Sequence, residues 1–166
     1  MSPTLRARPA GPPAARFDLR PMPPEVRTAA AGALALVEAY QTGLIRHLPE
    51  PPLPHLDGDR VDAAGEAYVH GRTPDAGLAI ASYGATLALL GAGADDRAEE
   101  HPWVPVLAAA KVLADAGSAA YLFVEQVSKH RRVCGWCTLA AAANIAAVPL
   151  VLPEALRGLR TLRGRP

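Results

Sequence analysis

Residues Val133–Pro153 read VCGWCTLAAAANIAAVPLVLP, 21 positions without a charged side chain, opened by two cysteines. A helix that crosses a bilayer needs about 20 predominantly apolar residues, and this run has the length. Small residues dominate it, and small residues let helix backbones approach closely inside a membrane. Cys134 and Cys137 fall at its start, where unpaired backbone N–H groups and the helix dipole favour an anion. A thiol attacks only as the thiolate, and the preceding Lys129-His130-Arg131-Arg132 adds positive charge beside the pair. Two intervening residues on one helical turn let the sulfurs close a small disulfide ring and exchange with an incoming thiol. The competing reading is two ordinary buried cysteines in a helix of small residues.

Outward from this stretch the chain divides into helical runs. Ala76–Ala94 is again free of charge; Val26–Ile45 is Ala/Leu-rich with Arg27 and Glu38 inside; Pro102 opens a run to about Val127 that contains Lys111 and Asp115. The prolines of HLPEPPLP, from His47 to Pro54, cannot continue the first helix. A polar stretch, Leu56–Pro74, follows with room for a short helix around Val61–Val69, and Asp95–His101 is a short charged connection. Repeated prolines and arginines in residues 1–25 predict a disordered tail, and residues 156–166 a basic one. The expected fold is all-α: an antiparallel four-helix transmembrane bundle over residues 26–155. A soluble Ala-rich helical bundle is the alternative.

Half of the 166 residues are hydrophobic but only 5% are aromatic, which argues against an aromatic-rich β-sandwich. A net charge of +1 supplies no basic field for nucleic acid. Mean hydropathy of +0.09 leaves the membrane question open. Arginines 6, 8, 16, 20 and 27 precede the first helix and 157, 160, 163 and 165 follow the fourth. By the positive-inside rule both termini lie in the cytoplasm and the cysteines near the outer face, with Lys129, Arg131 and Arg132 as the local exception. The start of the chain shows no signal-peptide pattern. Two cysteines are too few for a four-thiolate zinc site, and the loop residues His47, His55, Asp57 and Asp59 match no ligand spacing, so no metal is expected.

Lys111 and Asp115 stand one helical turn apart. Deep in an apolar helix they should face each other or the bundle interior, where they could meet a ligand. Trp136, between the cysteines, could form a lid or stacking surface, and Trp103 suits a membrane interface. Tyr83 could hydrogen-bond a ligand or be satisfied by a neighbour. Among Glu125, Gln126 and His130, His130 is best placed by its natural pKa to move a proton during exchange.

YLFVEQVSKHRRVCGWCTLAAAANIAAVPLVL (Tyr121–Leu152) and DGDRVDAAGEAYVHGRTPDAGLAIASYG (Asp57–Gly84) resemble the vitamin K epoxide reductase family of membrane thiol–quinone oxidoreductases. The resemblance implies an integral protein of a bacterial inner membrane whose helices surround a quinone of the ubiquinone or menaquinone type. It implies catalytic roles for Cys134, which would exchange disulfides with a thiol donor, and Cys137, which would lie against the quinone. Trp136, Tyr83, Lys111 and Asp115 are the candidate quinone contacts. Family members usually carry two further loop cysteines; here the position aligned with the second is Gly58, and the family's loop serine falls at Ala64. Without them the donor is expected to be a thioredoxin-like thiol protein acting in trans. A redox-inactive membrane scaffold or binding protein is the other reading of that loss.

Overall fold

The computed structural model describes residues 22–69, 72–93 and 96–164, so most of the expected disordered tail lies outside the described residues. Helix α1 spans Pro24–Gln41. Proline is tolerated in a first turn because its missing N–H would be unpaired there anyway. The buried positions of α1 are Ala30, Ala33, Leu34, Val37 and Gln41, the three-and-four spacing of a single helix face. The helix stops four residues short of Ile45: Thr42 Oγ1 donates to the Glu38 carbonyl at 2.6 Å and Gly43 turns to φ 77°.

The polar connection holds more structure than one short helix. Asp57 caps α2 (Gly58–Asp62) by accepting from the Arg60 amide at 3.2 Å. A 3-10 turn, Gly65–Ala67, leads into a two-residue strand β1 (Tyr68–Val69), paired antiparallel with β2 (Thr73–Pro74). Helix α3 (Asp75–Gly91) has no cap from its own N-cap residue, Pro74. The amide of Gln41 replaces it: its Oε1 accepts from the Ala76 N–H at 3.2 Å and its Nε2 donates to Asp75 at 2.7 Å. One side chain thereby joins the end of α1 to the start of α3. After a short α4 (Arg97–Glu100), α5 (Trp103–Glu125) runs on into a π-helical turn, Gln126–His130, closed by Arg131 at φ 50°.

Helix α6 is longer than the charge-free run Val133–Pro153. It begins at Gly135 and passes Pro149 and Pro153 to end at Gly164. The Arg-rich segment after 155 is therefore the last turns of this helix. Packing carries it past the prolines: Ala155 and Gly158 are buried, and a Cβ at Gly158 would stand 2.6 Å from the Pro102 carbonyl oxygen. Only glycine permits that approach. At 1.5 Å per residue α6 is about 45 Å long.

The four long helices form a ring in which α1 packs on α3 and α6, and α5 packs on α3 and α6. Leu90, Ala108, Val112, Ala147 and Val151 fill its centre. Among the described residues two helical stretches, Trp103–His130 and Gly135–Gly164, are long and apolar enough to cross a membrane; α3 is apolar but shorter. Only 22% and 28% of their apolar windows are buried. Their outer faces expose Leu113, Val124, Ile145 and Leu156, side chains that water would not favour.

Candidate active site at the cysteine pair

The site is assembled where the long α1–α3 connection folds back onto the start of α6. The Val133 amide donates to the His55 carbonyl at 2.8 Å, and the Asp57 amide donates to the Val133 carbonyl at 3.1 Å. This pins one residue before Cys134. Glu50 fixes the next one: its carboxylate accepts from the Gly135 amide at 2.5 Å and from the Gly58 amide at 2.7 Å. A single acid thus satisfies amides at the starts of both α6 and α2, as helix N-termini require. It also occupies the space beside Gly58, where a Cβ would lie 2.9 Å from its oxygens and 2.8 Å from Leu48 Cδ1. Gly58 is thereby enclosed by this latch.

Under the latch Cys134 is fully buried, while Cys137 is half-buried. The Cys134 amide donates to Gln126 Oε1 at 3.0 Å, and the Cys137 amide donates to Cys134 Sγ at 3.1 Å. The second bond brings a first-turn amide of α6 onto a sulfur. Glu50→Ala would leave two amides without their acceptor, at about 2 kcal/mol. We expect lower thermal stability in detergent micelles and faster alkylation of Cys134 in the folded protein; unchanged alkylation would show that Glu50 does not cover the thiol.

A cavity of about 400 Å³ lies between the helices beside Cys137, with Leu34, Val37, Leu78, Leu122 and Phe123 among its apolar walls. Of the candidate ligand contacts, Tyr83 and Asp115 line it, and Lys111 and Trp136 are not among its lining residues. Lys111 and Asp115 do face each other, at 2.5 Å. Ser82 and Thr86 complete their cluster by donating to the Asp115 carboxylate at 2.9 and 2.6 Å. The Tyr83 hydroxyl already donates to the Arg27 carbonyl at 3.2 Å. Trp136 packs between the two halves of the core, and its buried Nε1–H has no acceptor among the described residues. Trp103 is exposed at the start of α5.

The other candidates serve local structure. Glu125 pairs with Lys129, Gln126 holds Cys134, and His130 reaches the cavity wall. In the loop, Asp59 binds His47 and the Leu48 amide, each at 2.7 Å, and Asp57 is the cap of α2.

One candidate functional residue escaped the sequence reading. Asp62, at the end of α2, receives the Cys137 thiol at 3.3 and 3.5 Å from its two oxygens. Its oxygens and the two sulfurs all lie within 4.8 Å of one another; the hydrogen bonds between them satisfy the cluster, and we assign it no metal. Asp62 is buried, lines the cavity, and lies outside the apolar spans. Burial pushes its pKa up from 3.8 to about 6; the thiol hydrogen bonds partly oppose that, and Asp75 and Glu50 add to it.

A carboxyl whose folded pKa is raised favours the fold while protonated, so its contribution is complete below the unfolded value and lost as pH rises through the folded one. The shift corresponds to about 3 kcal/mol between pH ~3.8 and ~6. Asp62→Asn, which stays neutral, should flatten the fall in unfolding temperature over that window in micelles. An unchanged slope would show that Asp62 titrates normally.

No curated protein matches the sequence. The vitamin K epoxide reductase family model matches residues 27–152, a span that holds α3, α5 and the cysteine pair entire, nearly all of α1, and α6 as far as Leu152. With that match over most of its length, the chain belongs to the vitamin K epoxide reductase family.

Proposed function

We propose that the protein is a membrane thiol–disulfide oxidoreductase that passes electrons between a thiol protein and a quinone through Cys134 and Cys137. Family membership supports an oxidoreductase role of the thiol–quinone type. The observation that carries the finer reading is the cavity: a chamber of about 400 Å³, mostly apolar but with carboxylates on its walls, has Cys137 in its lining, within the volume range of small-ligand sites. A quinone of the ubiquinone or menaquinone type, when bound there, supplies an acceptor for two electrons and two protons. Leu34, Val37 and Phe123 would hold its ring and keep water away, with Tyr83 and Asp115 on the same walls. The protein's own work is to bring the two sulfurs together and to present Cys137 to the ring.

The chain has two cysteines, so no second pair can relay electrons from the partner. A thioredoxin-like protein in trans would exchange directly with Cys134 once the segment around His55 and Glu50 lifts from it. The proposed setting is a bacterial inner membrane, with both termini cytoplasmic and the cysteines near the outer face. The outward apolar faces of α5 and α6 support burial in lipid.

The test is quinone-dependent oxidation. Detergent-extracted protein, reduced and freed of reductant, is mixed with a short-chain ubiquinone or menaquinone and its free thiols are counted by alkylation. Loss of both thiols only with quinone is the expected result; thiols that persist with excess quinone overturn the proposal. Complete burial of Cys134 favours the second reading, a redox-inactive scaffold, which predicts that persistence.

A further inference from the structure

We propose that Asp62 is the proton acceptor for the Cys137 thiol during quinone reduction, and the group that carries that proton into the cavity. The inference rests on the thiol–quinone reading and adds a catalytic residue to it. Both Asp62 oxygens accept from Cys137 Sγ, at 3.3 and 3.5 Å, the longer reach that a sulfur donor makes, and a general base must contact the proton it takes. No lysine, arginine or histidine pairs with Asp62 among the described residues, although the side chain is only 3% exposed. A buried carboxylate without a cation gains from taking up a proton. Asp62 also shares the cavity wall with Cys137, so the proton it takes has somewhere to go.

The groups around Asp62 reinforce this. Cys134 and Cys137 face it from α6, Asp75 from α3, Glu50 from the latch, and Tyr40 from α1. Glu66 and His130 line the same cavity. Burial raises its proton affinity to a pKa of about 6, and its nearest charged neighbours, Asp75 and Glu50, add to that without holding the proton permanently. Such a group can both accept and release a proton at working pH.

The step balances as follows. The Cys137 S–H proton moves to the Asp62 carboxylate. The resulting thiolate supplies the sulfur that bonds to Cys134 as that thiol gives up its own proton. The two electrons of the pair leave to the quinone, together with two protons, the one held by Asp62 and the one given up by Cys134. Two thiols and a quinone become a disulfide and a hydroquinone, and Asp62 is again a carboxylate.

The experiment compares wild type, Asp62→Asn and Asp62→Glu, each reduced in micelles and mixed with a short-chain quinone from pH 4.5 to 8.5. Asparagine has the same shape but cannot take the proton. It should slow oxidation of the pair about a hundredfold and remove the rise in rate near pH 6, while glutamate restores part of both. A wild-type rate and pH profile in Asp62→Asn would overturn the proposal. Alkylation of Cys137 over the same pH range is read in parallel, without quinone. The wild type should show a step near pH 6 that Asp62→Asn lacks, and identical profiles would equally overturn it. If wild type reduces no quinone, the electron-transfer reading fails, and this second readout still decides whether Asp62 governs the thiol.

Discussion

Cys134→Ser and Cys137→Ser are each expected to reduce quinone-coupled oxidation of a dithiol partner by at least ~100-fold. The reason is stoichiometric. Taking two electrons from a partner requires a disulfide that opens and closes, and with one sulfur gone no intramolecular bond can form. Serine should preserve the fold at both positions. At 134 its hydroxyl can still accept from the Cys137 amide, which now bonds Cys134 Sγ at 3.1 Å. At 137 it can still donate to Asp62. The two variants should differ in what they trap. With Cys137 removed, a mixed disulfide between Cys134 and the partner has no resolving thiol and should accumulate on a non-reducing gel. With Cys134 removed, the remaining thiol faces the cavity and should trap little. Wild-type turnover in both single variants would leave the redox-inactive scaffold as the reading of this chain.

The parts of this site that could be read in the sequence are those written locally. The CGWC spacing places two sulfurs on one helical turn whatever the rest of the chain does. The charge-free runs around Ala76–Ala94 and Val133–Pro153 report helices through composition alone. Asp62 and Glu50 carry no such local mark. Asp62 meets Cys137 across 75 residues and Glu50 meets Gly135 across 85; Asp62 sits in the polar stretch and Glu50 in the proline run before it, and both read as connection. Their roles arise from the fold of the loop, in which Asp57, Asp59 and His47 bond within the loop and lay it over α6. The arginines after Pro153 marked the end of the charge-free run but not the end of α6, for a related reason. A proline removes one donor and disfavours helix before it, but buried contacts at Ala155 and Gly158 outweigh that local preference. Lys111 and Asp115 were readable as a pair because their spacing is helical. The hydroxyls of Ser82 and Thr86, brought in by another helix, were not.

Arg97→Ala should be the most destabilising exchange outside the redox centre, by about 3–5 kcal/mol. The sequence around it, DDRAEEH, reads as a charged connection, yet Arg97 is buried at 4% exposure. Its Nε and Nη2 donate to the two carboxylate oxygens of Glu154, both at 2.6 Å, and its Nη1 donates to the carbonyls of Leu90 at 2.5 Å and Ala92 at 2.8 Å. One planar guanidinium therefore closes the end of α3 and ties α4 to α6. Alanine would strand a poorly exposed carboxylate and the carbonyls at a helix terminus. Lysine should rescue little, since a single ammonium cannot match the two-pronged geometry. Arg97→Met combined with Glu154→Leu should recover much of the loss, because the cost of burying both charges disappears with them. Glu154 lies 17 residues beyond Cys137, about 26 Å along α6, so turnover per folded molecule should be unchanged at low temperature. Thermal unfolding in micelles across this double-mutant cycle measures the coupling. Strictly additive losses would show that the two side chains stabilise α6 independently, and that the apparent clamp is only proximity.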